Sequence, residues 1–195
     1  MKKTSLLLLL LPLISSCGIS PKEDMSAYQM SKEEYNAQVN RDYILTRANY
    51  SIVLFKNDSK FQDCFIDYGK MHSHFESSGN DFYGKFELID DNHYRYTYYY
   101  QGTPYTETNT KEQLYQTIFI YFTVLFDIPF ESFTFDSVNK KYVTKNAIEG
   151  VCDYAELTVK NKMPYNFYAI DGEEKVEITF SNHGVTKVTL PDENQ

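Results

Sequence analysis

The chain has 195 residues, of which 27 are acidic and 19 are basic, so its formal net charge at pH 7 is −8. This excess of carboxylates disfavours nucleic-acid binding, because phosphate contacts require clustered Lys and Arg, and it gives the chain little reason to lie on anionic lipid. Glycine and proline are sparse, at 8 and 6 residues. No internal repeat or low-complexity block marks a second domain, so the composition predicts one globular domain.

The N-terminus has the pattern of a secretory signal. Lys2 and Lys3 form a positive segment that precedes a short apolar run over residues 6–14. The run is shorter than the roughly 20 residues that a membrane-spanning helix requires, which disfavours the alternative of an uncleaved membrane anchor. The sequence therefore predicts a signal peptide over residues 1–16.

The end of this signal is more specific than a generic cleavage site. The stretch ISSC, Ile14 to Cys17, resembles the lipobox of bacterial lipoproteins. The resemblance implies that Cys17 is acylated and becomes the N-terminus of a protein anchored to the cell membrane by lipid and facing the exterior, since several acyl chains make anchoring permanent. Residues 17–30 are short of large apolar side chains and predict a flexible tether, followed by a single domain over residues 31–195.

The first helix signal follows the tether. Ser31 and Glu34 have the spacing of a capping box, in which the side chain of each residue accepts a hydrogen bond from the backbone N–H of the other at the helix start. They predict a helix over about residues 32–47. One apolar stripe of this helix would contain Tyr35, Val39 and Tyr43.

A second capping box introduces the most apolar segment of the chain. Thr110 and Gln113 repeat the spacing before residues 114–126, and Pro129 ends the segment. The apolar residues fit two adjacent stripes of a helix that is buried on more than half of its circumference. The β-branched and aromatic content also fits a buried strand, an alternative that the cap and the length disfavour.

The remaining sequence predicts strands joined by turns. The predicted hairpins pair residues 50–55 with 61–69, 82–89 with 94–100, 132–135 with 141–144, 166–170 with 175–180, and 175–180 with 185–190. Successive hairpins indicate an antiparallel sheet, and the two helices are the elements that can cover its apolar face. The predicted class is α+β, with a curved antiparallel sheet, or half-barrel, that wraps or packs on two main helices.

The order of these elements resembles known envelope proteins. A lipobox, a tether, a capped helix, hairpins, a central aromatic helix, and the closing stretches FTFDSVNKKYV and VEITFSNHGVTKV are similar to uncharacterised lipoproteins of Gram-positive bacteria. More distantly, the order resembles the half-barrel lipid carriers of the LolA, LolB and LppX kind. That resemblance implies an unclosed barrel with a helical lid around a hydrophobic cavity for acyl chains.

The stretch YRYTYYYQG, residues 94–102, supplies the candidate ligand surface. Alternation along a strand puts four tyrosines on one face, with Tyr99 on the other. These rings either pack on the aromatic helix as core or line a ligand cup, and the sequence leaves both interpretations open. The predicted ligand-binding residues are Tyr94, Tyr96, Tyr98, Tyr100, Tyr115, Phe119 and Phe122.

Thiols and imidazoles give weaker signals. Cys64 and Cys152 are the thiols that remain once Cys17 is acylated, and they either pair as a disulfide in an oxidising exterior or include a buried free Cys64. His72 and His74 share a strand face, where two imidazoles could chelate zinc or copper. No third ligand is fixed nearby, so solvent-facing histidines are the favoured interpretation and no metal or cofactor is predicted.

No catalytic signature is present, because the sequence has no P-loop, no dinucleotide-binding glycine pattern and no HExxH. The leading hypothesis is a non-enzymatic, lipid-anchored envelope protein that binds a hydrophobic or amphiphilic ligand in a half-barrel. The alternative is an interaction or structural lipoprotein that contacts an envelope glycan or a protein partner and whose cavity is filled by its own side chains. An enzyme is the third choice.

Overall fold

The computed structural model describes residues 24–194 of the chain. The predicted signal peptide, residues 1–16, and the predicted lipidation site, Cys17, lie outside the described residues. Within the described range, an antiparallel sheet of eleven strands packs with short helices. The predicted α+β class, with a curved and unclosed sheet, is confirmed.

The sheet is a meander whose first and last strands meet at its centre. The strands follow one another in the order β6-β5-β4-β3-β2-β1-β11-β10-β9-β8-β7, with β6 and β7 at the two edges. Every paired strand is antiparallel to its neighbour. The strands are β1 (Asn49–Lys56), β2 (Ser59–Asp67), β3 (Lys70–Phe75), β4 (Asn80–Leu88), β5 (His93–Tyr100), β6 (Thr103–Thr110), β7 (Phe133–Asp136), β8 (Lys141–Thr144), β9 (Tyr154–Lys160), β10 (Met163–Asp171) and β11 (Glu174–Ser181).

Tight turns explain why neighbouring strands pair. Asn57 and Asp58 join β1 to β2 with φ angles of 48° and 62°, and Asn161 and Lys162 join β9 to β10 with φ angles of 51° and 64°. Positive φ at both central residues is the geometry of the two-residue turns that match the twist of paired strands. These turns fix the register of the hairpins they close.

Three strands were not predicted. β3 begins directly after a turn at Tyr68 and Gly69, which the sequence pattern places inside one long strand over residues 61–69. β6 is exposed along most of its length, so it has no apolar alternation to detect. β9 alternates buried and half-buried residues, but Glu156 and Thr158 weaken its apolar pattern.

The strand predicted over residues 185–190 does not form, and this prediction is wrong. The predicted partner, β11, already pairs with β1 on one side and β10 on the other, so it has no free backbone edge for this segment. Side chains of the sheet hold it instead. The Thr186 N–H donates to Asn49 Oδ1 at 2.9 Å, and the Val188 N–H donates to Asp67 Oδ2 at 3.2 Å.

Both predicted long helices are divided in two. The helices are α1 (Lys32–Gln38), α2 (Arg41–Thr46), α3 (Lys111–Ile118) and α4 (Thr123–Asp127). The two capping boxes, at Ser31 and at Thr110, are confirmed. The first helix is interrupted because the Asn40 side chain accepts a hydrogen bond from the Tyr43 N–H and so caps a new helix. The second is interrupted after α3, where aromatic and β-branched residues of low helix propensity follow one another.

Part of the predicted tether packs on the domain. Residues 24–30 include a 3-10 helix, Met25–Tyr28, that contacts β9. Met30 is buried, and its backbone N–H donates to the Tyr142 hydroxyl at 2.9 Å. The prediction of a flexible tether over residues 17–30 is therefore wrong for its last seven residues, since residues 24–30 belong to the folded domain.

The core lies between one face of the sheet, called the inner face below, and the four helices. In β11, Ile178 and Phe180 are buried while Glu177 and Thr179 are half-exposed, as the predicted alternation requires. Full burial of such a side chain stabilises the fold by about 1.5 to 3 kcal/mol. The largest fully buried side chains come from both layers and include Ile44, Leu45, Leu54, Ile66, Tyr94, Leu114, Leu125, Leu157, Phe167, Ile178 and Phe180.

Candidate functional site

The candidate site is the inner face of the sheet beneath α3 and α4. The turn between these helices, residues 119–122, directs Phe119 and Phe122 into the half-barrel, where they are 3% and 4% exposed. The space left beside them has a volume of 10 Å³, which is at most about the space that one water molecule needs. The half-barrel is therefore filled by its own aromatic side chains in this structure.

Helices α3 and α4 cover the inner face, and an aromatic cluster and one cation hold this cover in place. The Phe119 ring centroid lies 6.5 Å from that of Phe122 and 5.0 Å from that of Phe126. The Arg41 guanidinium of α2 lies 4.6 Å from the centre of the Phe126 ring, and its Nη2 is 3.1 Å from Asp127 Oδ1. Contacts of this kind contribute about 0.5 to 1 kcal/mol each at partly exposed sites.

The outward side of the same turn is apolar and accessible. Ile120 is 58% exposed. The neighbouring Tyr121 ring lies 4.5 Å from the Phe61 ring centroid, and the Lys56 ammonium lies 5.6 Å from the Tyr121 ring. A cleft of 210 Å³ opens here, with Cys152, Asp171 and Glu174 also in its wall.

Two further openings flank α3. One is a cleft of 400 Å³ between α2 and α3, whose wall includes Arg41, Lys111 and Tyr115. The other is a half-open pocket of 100 Å³ beneath the C-terminal turn of α3, between Ile118 and strands β2, β3 and β4. The cover thus has an opening on each side.

The tyrosines of β5 run from the core to the end of the strand, at the turn into β6. Tyr94 is fully buried and Tyr96 nearly so, Tyr98 is half-buried, and Tyr100 is 63% exposed. The Tyr96 ring stacks on Phe86 at a centroid distance of 5.2 Å. The inner end of the row is core, and the outer end reaches solvent.

A half-buried carboxylate, Asp42, ties the helices to this row of tyrosines. Asp42 of α2 accepts hydrogen bonds from the Tyr94 hydroxyl at 2.7 Å and from the Tyr115 hydroxyl of α3. Its other oxygen, Oδ2, lies 2.6 Å from Lys111 Nζ. Burial alone would raise the pKa of Asp42, but these hydrogen bonds together lower it below its ordinary value of 3.8.

Replacing Asp42 with asparagine is expected to lower the free energy of unfolding at pH 7 by about 1 kcal/mol, since the site is partly exposed and screened. A carboxylate whose pKa is lower in the folded than in the unfolded protein stabilises the fold above pH 3.8 and loses that contribution as the pH falls through the folded value. Urea titrations at pH 7, 5 and 3 should show the difference between the two proteins shrinking at the lowest pH. Asp127→Asn, which removes a more exposed ion pair, is the control and should cost less than about 0.5 kcal/mol. A difference that grows on acidification would contradict the role of Asp42.

The two remaining cysteines are free and buried in the structure. The disulfide between Cys64 and Cys152 that the sequence left open is therefore not formed. Burial raises the pKa of Cys64 to about 12, and burial also raises the pKa of Cys152. Thiols of this kind are inert toward nucleophilic chemistry.

His72 and His74 share the outer face of β3, and both contact one carboxylate. Asp81 Oδ1 lies 2.9 Å from His72 Nε2 and 3.1 Å from His74 Nδ1. Hydrogen bonds from the two imidazoles, His72 first, lower the pKa of Asp81. Within residues 24–194, no group of three or more His, Cys, Asp or Glu side chains is arranged to hold a metal ion.

The His72 ring also belongs to an aromatic stack on the outer face. It lies parallel to the Tyr83 ring at a centroid distance of 4.3 Å and stacks on Phe65 at 5.6 Å. The stack crosses three neighbouring strands, β2, β3 and β4. It gives the outer face a flat, half-exposed aromatic surface.

Three residues that shape the site were missed by sequence reasoning. Asp42 gave no signal, because its partners are distant in the chain. Gln62 occupies a position in β2 where the alternation calls for an apolar residue, between Phe61 and Cys64, and this mismatch is the signal that could have identified it. Ser73 lies in β3, which was not predicted.

No helix in the described part of the chain is long and apolar enough to cross a membrane. No protein-family model matches the chain, and no curated protein matches it in sequence. Among solved structures, the chain is similar to LprF from Mycobacterium bovis. The superposition has a TM-score of 0.37 and 11% sequence identity, and it covers 83% of this chain and 96% of LprF.

Proposed function

We propose that this protein is a lipid-anchored protein of the cell envelope that binds a hydrophobic or amphiphilic ligand in its half-barrel, with α3 and α4 as the lid. The observation that carries the proposal is how the inner face is covered. Two helices of eight and five residues meet at a non-helical turn, and two phenylalanine rings occupy the half-barrel. Helices this short are marginal by themselves, so their position depends on those side chains.

The chemistry of this cover favours exchange with a hydrocarbon. The wall around the rings of Phe119 and Phe122 is apolar apart from Gln62, and it includes Ile44, Ile52 and Ile66. An acyl chain that displaced the rings would replace one buried apolar contact by another, so the free energy of burial would change little. The pocket of 100 Å³ beneath α3 shares Gln62, Met71 and Ile118 with the interior void and would give such a chain a route of entry.

Anchoring is supported by the resemblance of residues 14–17 to a lipobox. An anchor at Cys17 would hold the half-barrel near a bilayer, where acyl chains are abundant. The half-barrel would then be occupied even when little free ligand is dissolved in water, because the membrane supplies the ligand locally.

Replacing Cys17 with serine is expected to abolish acylation, because the thiol is the acyl acceptor that the lipobox resemblance implies. The variant protein should be released from the membrane or should accumulate as an unprocessed precursor. Metabolic labelling with a fatty-acid probe, followed by membrane fractionation, measures both effects. Cys64→Ser is the matched control and should leave labelling unchanged. Undiminished labelling of Cys17→Ser would refute the lipid anchor.

Native mass spectrometry of the protein, extracted gently from its membrane, tests the proposed ligand. The expected result is a fraction of molecules that carry a co-purified hydrophobic molecule, released when the protein is denatured. A bare chain that also fails to bind a fluorescent fatty acid would overturn the ligand-binding proposal. Such a result would leave the anchor itself unaffected, since Cys17→Ser tests it separately.

A second candidate function is favoured by the filled interior. With a void of only 10 Å³ inside, the half-barrel is also suited to a structural or interaction lipoprotein without a ligand cavity. The aromatic stack of Phe65, His72 and Tyr83 on the outer face would then be the contact surface, because flat aromatic rings suit sugar rings. Binding of envelope glycan that is lost in Tyr83→Ala, without any bound lipid, would favour this function over the first.

A further inference from the structure

The pocket of 100 Å³ beneath α3 has three polar residues in its wall, Gln62, Ser73 and Thr117, of which Gln62 also borders the filled interior. Its apolar wall consists mainly of Met71, Phe75 and Phe82 from the sheet and Ile118 from the lid. The pocket adjoins the interior void, because Met71 and Ile118 border both spaces. A molecule held in this pocket would therefore reach the half-barrel when the lid moves.

Two buried polar groups in this pocket lack a strong hydrogen-bond partner. Gln62 and Ser73 are 4% and 1% exposed. Gln62 Oε1 has no partner among residues 24–194, and the Ser73 hydroxyl has only the Cys64 thiol, which is a weak acceptor. Both residues line the same pocket. Buried polar groups are almost always paired, because leaving one unpaired is expensive, so two poorly paired groups in one small space indicate a site for a polar atom of another molecule.

The wall decides which polar atom fits. No lining residue of the pocket is charged, so a carboxylate or phosphate would be desolvated there without a counterion. The Gln62 Oε1 atom only accepts hydrogen bonds, whereas the Ser73 hydroxyl donates or accepts. A hydroxyl group satisfies both, because it can donate to Gln62 Oε1 and accept from the Ser73 O–H.

We propose that this pocket binds the hydroxyl group of a neutral amphiphile, whose hydrocarbon part lies against Met71, Phe75 and Phe82. This inference rests on the proposed binding of a hydrophobic ligand and specifies its chemical class. The volume of 100 Å³ is well above the roughly 10 to 15 Å³ that one water requires, so the hydroxyl and the first carbons of a chain can be accommodated. The rest of the chain would extend through the open side of the pocket or under the lid.

Photolabelling in membranes from cells that express the full-length protein tests the site. The probe is a ten-carbon primary alcohol that carries a diazirine, and peptide mass spectrometry maps its adducts. Adducts are expected on Met71, Phe75 or Phe82. Unlabelled 1-decanol should compete about tenfold better than its isomer nonyl methyl ether, because the ether cannot donate a hydrogen bond.

Variants separate hydrogen bonding from shape. Gln62→Met is expected to abolish the preference for the alcohol, because only the alcohol can donate to Gln62 Oε1. Ser73→Ala should weaken alcohol and ether alike, by about threefold, since both oxygens accept from the Ser73 O–H, and the double variant should show no preference. Met71→Leu, which alters the wall without a polar change, should retain the preference. Comparison with the double variant also cancels any difference in how the two competitors partition into the membrane. The melting temperatures of both single variants should be unchanged or higher, since each removes a buried polar group that lacks a strong partner.

The outcomes distinguish this inference from the proposed function. Adducts inside the half-barrel with equal competition by alcohol and ether would overturn the hydroxyl site but leave hydrophobic binding intact. The polar atoms of the pocket would then be satisfied by water alone. An alcohol preference that persists in the double variant would also overturn the site. Absence of adducts on any inner-face residue would overturn both the site and the proposed function.

Discussion

Replacing Phe122 with alanine is expected to lower the free energy of unfolding by about 3 to 5 kcal/mol, as for other buried phenylalanines. The side chain is buried between the sheet and α4, and the small void beside it shows that the ring is closely packed. The substitution therefore removes close contacts and leaves a cavity that the short helices cannot fully close. Urea titration of both proteins measures the loss, and Phe119→Ala should behave alike.

Ile120→Ala is the matched control, because Ile120 lies in the same turn but is mostly exposed. It should change the free energy of unfolding by less than about 0.5 kcal/mol. A loss below roughly 1 kcal/mol in Phe122→Ala would show that this ring is not part of the core. Equal losses in the two variants would indicate that the turn unfolds as a unit.

The same variant also separates the two candidate functions. If the half-barrel admits ligand when the rings move aside, Phe122→Ala should bind a fluorescent fatty acid more tightly than the parent protein, because the space is already open. If the interior is only core, the variant should lose stability and should not bind the fluorescent fatty acid more tightly than the parent protein. A parent protein that binds the probe and a variant that does not would contradict the lid.

Local signals in the sequence predicted local structure well. The capping boxes at Ser31 and Thr110 start helices, because the cap depends on residues three positions apart. The turn at Asn57 and Asp58 closes a hairpin, because its geometry depends only on these two adjacent residues. The curved antiparallel sheet follows from such hairpins in succession.

Features set by distant partners could not be predicted in this way. Residues 185–190 alternate like a strand, yet β11 has no free edge to pair with them, and the segment is bound by the side chains of Asn49 and Asp67. The edge strand β6 lacks any apolar face, since nothing covers most of its residues. The two helix breaks have local causes that apolar periodicity does not show, since Asn40 caps a new helix and residues of low helix propensity follow α3.

The candidate site shows the same division. The pattern placed Phe119, Phe122 and the inner tyrosines on the covered face, because alternation and helical spacing are local. It did not reveal that the rings fill the half-barrel, nor that Gln62 and Ser73 meet at one pocket. Those facts depend on the pairing of β2 with β3, where Ser73 lies opposite Cys64.

Replacing Tyr96 with alanine is expected to cost about 3 to 5 kcal/mol of unfolding free energy, whereas Tyr100→Ala should cost less than about 1 kcal/mol. Both residues lie on the same face of β5, but Tyr96 stacks on Phe86 inside the core and Tyr100 extends into solvent at the end of the strand. The four tyrosines thus form a gradient and not a uniform wall. Urea titration of the single variants measures it, with Tyr98→Ala expected to be intermediate.

Tyr99→Ala tests the face assignment itself, because one step along a strand crosses the sheet. The Tyr99 ring lies on the outer face, where its hydroxyl donates to Asp192 Oδ1 at 2.8 Å in an exposed contact. Loss of that contact should cost less than about 1 kcal/mol. If Tyr99 proved as sensitive as Tyr96, burial on one face would not explain the row. If Tyr96→Ala instead kept its stability and changed only the binding of a fluorescent fatty acid, the inner tyrosines would be ligand wall and not core.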